Sequence, residues 1–193
     1  MRRLLLSSLK RHRSRLLFAF LLLLVCVLYL WWNSRLEQSQ DNPIRVAAAR
    51  YGVEPALVKA IVWRESRFNP TVHGRAQELG LMQIREEAAQ EWADAEHITG
   101  FEHAHCLDPQ TNTLAGTWYL KKLMRRYTQT DNPVPYALAD YNAGRGNVLK
   151  WNSGQAATNS AVFIEQIGFP GTKSYVKSVM NRCDKYRLLF AIK

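Results

Sequence analysis

Cysteine, proline and glycine are all scarce in this chain. Three cysteines, seven prolines and ten glycines in 193 residues exclude the composition of a disordered or low-complexity segment. Cys26 lies in an apolar run. Cys106 and Cys183 are left either to form one bridge outside the cytoplasm or to stay as two small buried thiols. There is no internal repeat, and no sustained apolar–polar alternation marks a substantial sheet. Acidic residues are also few, 16 against 26 lysines and arginines, for a net charge of +10. Such an excess, gathered in a patch, would suggest nucleic acid. Here Arg2, Arg3, Lys10, Arg11, Arg13 and Arg15 all precede the first acidic residue. The remainder intersperses both signs, so a basic nucleic-acid module is the weakest reading.

Charge is absent altogether from Leu16 to Trp32. That run is near the lower limit of the about 17–25 apolar residues that span a bilayer. Tyr29, Trp31 and Trp32 lie at its far end, where amphipathic rings prefer the interface. Basic residues precede it, which places the N-terminus in the cytoplasm and the domain outside, in the periplasmic or extracytoplasmic space. A cleaved signal peptide would share this pattern. Trp31-Trp32-Asn33-Ser34-Arg35 is a poor cleavage site, and Val25 before Cys26 argues against lipidation. The expected organisation is a basic cytoplasmic segment (1–15), a transmembrane anchor (16–32), a polar linker (33–42) and an exported domain (43–193).

The exported part reads as helix after helix. Pro43 and Pro55 suit first helical positions, where a missing N–H costs nothing, and Gly52 is placed to stop the first helix. Helical periodicity runs from Gly80 to Ala93. Asp108-Pro109 opens a long helix through Tyr127, and shorter pieces follow at 135–141, 148–151, 161–167 and 173–190. The fold class is mainly α, with any β confined to a small hairpin between Arg67 and Leu79.

Leu57, Ile61 and Glu65 are four apart and share one helix face, which Val58 and Val62 widen toward the core. A carboxyl on the buried side of a helix end has a raised pKa, which is what a general acid needs near neutral pH. The plainer reading turns Glu65 outward where the helix stops. Ser66-Arg67-Phe68-Asn69-Pro70 follows it, then a polar loop and Gly80-Leu81-Met82-Gln83-Ile84. Further on come Ala139-Asp140-Tyr141-Asn142-Ala143-Gly144 and Phe163-Ile164-Glu165-Gln166-Ile167. In this order the four motifs resemble the SLT-type lytic transglycosylases, relatives of goose-type lysozymes that cleave peptidoglycan glycan strands. The resemblance runs from about Asn42 to the C-terminus.

The resemblance implies a lysozyme-like domain that needs neither metal nor cofactor. Glu65 would be its single acid/base, forming 1,6-anhydro ends without water. Gln83 and Met82 would line the glycan cleft. The Tyr141 hydroxyl would face the acid and the muramic acetamido group, and Glu165 would bind substrate. Each has a plainer reading: Gln83 on a solvated helix face, Tyr141 as a half-buried aromatic, Glu165 on a solvated helix. The chain also departs from the family pattern. Gly74 stands where a serine is usual, Leu79 where a small residue commonly precedes the Gly-Leu-Met-Gln motif, and Arg85 where Met-Pro is frequent. His97, His103, His105 and Cys106 match no common zinc spacing. The rival readings are a hydrolase with Asp140 as a second carboxylate, and a glycan-binding scaffold for a secretion or division machine.

Overall fold

A computed structural model describes residues 2–191, with side chains for 18–188, as two units divided after Ser39. The first unit is helix α1 (Arg2–Gln38). Its side chains from Phe18 to Trp32 are exposed. Among the described residues the one segment long and apolar enough to cross a membrane begins in this helix, at Phe18. The stretch expected as a linker is mostly helix. Gln38 bonds Ser34 one turn back, Arg35 lies over the Trp31 ring, and the chain turns only at Ser39–Gln40.

The second unit holds α2 (Asp41–Tyr51), α3 (Pro55–Ser66), α4 (Glu86–Ala95), α5 (Pro109–Arg125), α6 (Pro133–Ala143), α7 (Arg145–Trp151), α8 (Ser160–Gln166) and α9 (Pro170–Ala191). Local chemistry sets most of their ends. Gly52 closes α2 at φ 60°, its N–H bonding the Ala48 carbonyl. Asp108, Asn132 and Asn159 cap α5, α6 and α8 by accepting backbone N–H bonds.

Helix α3 is the centre of the unit. Residues 56–62 are buried all round, which an apolar helix achieves only inside a core. It lies against α9 and α2, while α5 packs on α2, α4 and α6. Lys59 is the one charge inside that stretch. It pairs with Asp41 at 2.5 Å and faces the Tyr186 ring at 5.1 Å.

Two local expectations give way between Arg67 and Ala95. The hairpin reduces to isolated antiparallel bridges, His73 to Leu79 and Leu79 to Ile84, with no strand among the described residues. The helix expected from Gly80 starts only at Glu86. Gly80 (φ 75°) and Gln83 (φ 48°) are left-handed, which a right-handed helix cannot contain. Leu81, Met82 and Ile84 reach the core instead from an irregular loop, each no more than 2% exposed. Cys106 and Cys183 are both free and buried.

Candidate active site

Glu65 occupies the last turn of α3, and the chain breaks immediately after it. Arg67 and Phe68 are consecutively left-handed, at φ 52° and 65°, a conformation costing about 1–2 kcal/mol per residue. Phe68 is 2% exposed, and burying a phenyl ring returns about 1.5–3 kcal/mol. The Arg67 guanidinium adds a contact 3.8 Å from the Trp63 ring centroid. The break ends the helix at Ser66, one residue past Glu65, whose carboxyl lies at the wall of a cavity of about 510 Å³. Gly74, Glu78, Gln83, Tyr119, Asp140 and Tyr141 line the same cavity.

Burial pushes the Glu65 carboxyl up to about 7, and the charge of Glu78 adds to the rise. The Tyr175 hydroxyl and the Arg64 guanidinium oppose it. Tyr175, from α9, has a buried hydroxyl with no hydrogen bond of good geometry among the described residues, yet it is close enough to Glu65 to favour the carboxylate. Burial, then the Glu65 charge, holds the Tyr175 and Tyr141 hydroxyls well above the ordinary tyrosine value. Both phenols therefore stay protonated wherever Glu65 titrates.

Gln83 is held with its carboxamide oriented. Its Nε2 donates to the Val72 and Gly80 carbonyls, both at 3.0 Å. Both amide hydrogens are thus committed, and Oε1 is left as an acceptor at the cavity wall. The loop around it is pinned by Asn112 of α5. That side chain accepts the Met82 N–H at 2.7 Å and donates to the Leu79 and Cys106 carbonyls at 2.8 and 2.7 Å. Gly80 is required here on two grounds, its positive φ and the collision a Cβ would make with Asn112 and the Cys106 carbonyl. His103 donates from Nε2 to the Ile84 carbonyl at 3.0 Å, which holds the far end of the loop.

The residues singled out from sequence do not all meet. Glu65, Gln83 and Tyr141 share the cavity. Met82 lies outside its lining: the side chain is fully buried, packed on Gly116 and Thr117 of α5. Its carbonyl still contributes, accepting the Tyr141 hydroxyl at 2.8 Å. Glu165 is exposed on α8 and paired with Lys173 and Lys177, away from the cavity. Lys177, then Lys173, holds its carboxyl below the usual range. Asp140 borders the cavity, but its Oδ2 is taken by Arg126 at 3.0 Å and by Tyr127 at 2.8 Å.

Sequence reading missed Asn112, Tyr175 and Glu78. Asn112, Gly116 and Leu120 are spaced by four, which put a polar side chain on the buried face of α5 and was a usable signal. Tyr175 gave none, because its role depends on α9 crossing the end of α3. Glu78 belonged to a loop whose path no periodicity could supply.

Comparison with known proteins shows the family and the fold. A family model, the Transglycosylase SLT domain, matches residues 42–164. The soluble lytic murein transglycosylase of Escherichia coli K12 is 37% identical over 137 residues, covering 70% of this chain and 21% of that protein. Membrane-bound lytic murein transglycosylase C of Yersinia pestis is 38% identical over 115 residues, 55% of this chain and 32% of the relative. The chain thus spans about a fifth to a third of these relatives' lengths. Among solved structures, the 70-kDa soluble lytic transglycosylase of E. coli superposes with a TM-score of 0.68 at 29% identity, over 77% of this chain and 24% of that one. A complex of the 70-kDa soluble lytic transglycosylase with bulgecin A gives 0.71 at 28% identity, over 84% and 26%.

Proposed function

Since the chain belongs to the Transglycosylase SLT domain family, we propose that it is a peptidoglycan lytic transglycosylase with Glu65 as its single acid/base. The observation that carries this reading is a carboxyl at a cleft wall, pushed up to about 7 by burial and flanked by two phenols. A group titrating near ambient pH can both give and take a proton. Protonated Glu65 donates to the oxygen linking N-acetylmuramic acid to N-acetylglucosamine, and that β-1,4 bond breaks. Positive charge builds at the muramic C1, where the sugar's own acetamido group assists. The Glu65 carboxylate then takes the proton of the C6 hydroxyl as that oxygen attacks C1. The product is a 1,6-anhydro end, no water is consumed, and the acid is regenerated.

The remaining groups orient the sugar. Gln83 Oε1 accepts a hydrogen bond from the glycan. The Tyr141 hydroxyl has its proton committed to Met82 and offers its lone pairs to protonated Glu65 or to the sugar's N–H. The N-terminal helix serves as a single-pass anchor in the cytoplasmic membrane, with the domain on the outer side. Its exposed apolar side chains from Phe18 to Trp32 support the span, and the basic residues ahead of the apolar run support the orientation.

The test is mass spectrometry of the ends released from purified peptidoglycan by the detergent-solubilised chain and by Glu65→Gln. Anhydro ends from the wild type alone are expected. Reducing ends would mean that water attacks C1, as in a hydrolase. Binding without release by a folded wild type would make the domain a scaffold.

A further inference from the structure

The cavity holds a second carboxylate, Glu78, which the reaction above leaves unused. Glu78 Oε2 accepts the Ala76 N–H at 2.9 Å, and Oε1 accepts from Arg85 at 3.3 Å. The side chain is 22% exposed. Burial opposes its charge, but its own backbone N–H, that of Ala76 and the Arg85 guanidinium outweigh burial and hold the carboxyl below the usual range.

Gly74 makes the room for this arrangement. A Cβ there would collide with Glu78 Oε2 and lie 2.8 Å from Gln83 Oε1. Gly74 does not have a positive φ, so its missing side chain serves space rather than backbone freedom. The usual serine of this position is absent, and an anionic carboxylate fills the gap beside the Gln83 acceptor.

We propose that Glu78 is a catalytic carboxylate of this cleft, stabilising the positive charge that develops at the sugar's C1 while Glu65 handles the proton. This rests on the transglycosylase reading and adds a fixed negative charge to a mechanism otherwise built on one carboxyl. A preorganised charge aimed at a developing charge in a partly dehydrated cleft lowers the barrier without reorganising. The pair also divides its labour by environment. Two carboxyls in one cleft do not both ionise readily. Glu78, with its donors in place, takes the charge, and Glu65 takes the proton. The groups facing Glu65 are Arg64 on its own helix, Tyr141 from α6, Tyr175 from α9 and Glu78 from the loop. Of these, Glu78 raises the carboxyl, Arg64 and Tyr175 lower it, and Tyr141 stays neutral through the relevant range.

Glu78→Gln keeps the size and an acceptor but removes the charge. The full chain in detergent, acting on purified sacculi across pH, should lose about tenfold or more in kcat with little change in apparent KM. Its alkaline limb should move to lower pH. Gly74→Ala displaces the carboxylate without neutralising it and should lower kcat as well. In the absence of substrate, the Glu65 carboxyl resonance followed by 13C NMR should titrate at lower pH in Glu78→Gln than in the wild type. Unchanged kcat in Glu78→Gln, whether or not the limb and the titration move, would overturn the proposal and leave the transglycosylase reading standing. No released ends from the wild type would overturn both.

Discussion

The Tyr141 hydroxyl donates to the Met82 carbonyl at 2.8 Å, joining the end of α6 to a loop 59 residues earlier in the chain. The bond fixes the phenol at the cavity wall and satisfies a carbonyl whose residue is fully buried. Tyr141→Phe would leave that carbonyl unpaired, at about 1–3 kcal/mol. It would also remove the hydroxyl near Glu65 that is proposed to accept from the protonated acid or the sugar. A hydrogen bond made there in the transition state would be worth about 1.5–3 kcal/mol, or about ten- to a hundredfold in rate. Thermal denaturation and kcat should both fall. A loss of stability with kcat intact would leave Tyr141 as a brace alone.

Asp140 separates a structural carboxylate from a reacting one. Its Oδ2 is shared by Arg126 and Tyr127, and its side chain is 2% exposed. Asp140→Asn breaks a buried pair, a change that typically costs about 3–5 kcal/mol. The chemistry should survive. Per folded molecule, the ratio of anhydro to reducing ends should match the wild type. A shift in that ratio would make Asp140 part of the reaction and favour the hydrolase.

Helices announced themselves through caps and apolar stripes, which act within a few residues of each other. Asp108-Pro109, Gly52 and the Leu57–Ile61–Glu65 spacing are of this kind, and α5, α2 and α3 follow them closely. The loop from Arg67 to Arg85 obeyed longer-range rules. Leu81, Met82 and Ile84 look like a helix stripe, but burial was available to them in a left-handed turn locked by Asn112, some 30 residues on. The same limit governs the site. Glu65, Gln83 and Tyr141 were legible from their motifs. Met82 sat in one of those motifs, yet it serves the cavity through its backbone. Tyr175 and Glu78 became visible only once distant segments were brought together.

Glu165 tests how far a motif carries a role. Its carboxylate is exposed and engaged by Lys173 and Lys177, outside the cavity. Glu165→Gln should leave kcat, apparent KM and the melting temperature close to those of the wild type. A several-fold rise in apparent KM on long glycan strands would show that the binding surface extends over α8.

Glu65 should weaken the fold that holds it, and the sign follows from linkage. Its carboxyl is raised from 4.5 to about 7 in the folded chain, so the native state retains a proton that the unfolded chain has lost. Unfolding free energy must then fall as pH rises between those values, because the folded state binds more protons there. At about 1.4 kcal/mol per pH unit the full effect is at most about 3 kcal/mol, and partial exposure reduces it. Glu65→Gln removes the titration and keeps the shape. Denaturant unfolding at pH 5 and pH 8 should therefore find the variant more stable relative to wild type at pH 8, by about 1–3 kcal/mol. Cleavage should be lost at both pH values, while the wild-type rate should decline above pH 7 as the acid form is depleted. A variant no more stable at pH 8 than at pH 5, relative to wild type, would mean that Glu65 titrates as an ordinary surface carboxyl, and the single acid/base reading would lose its physical basis.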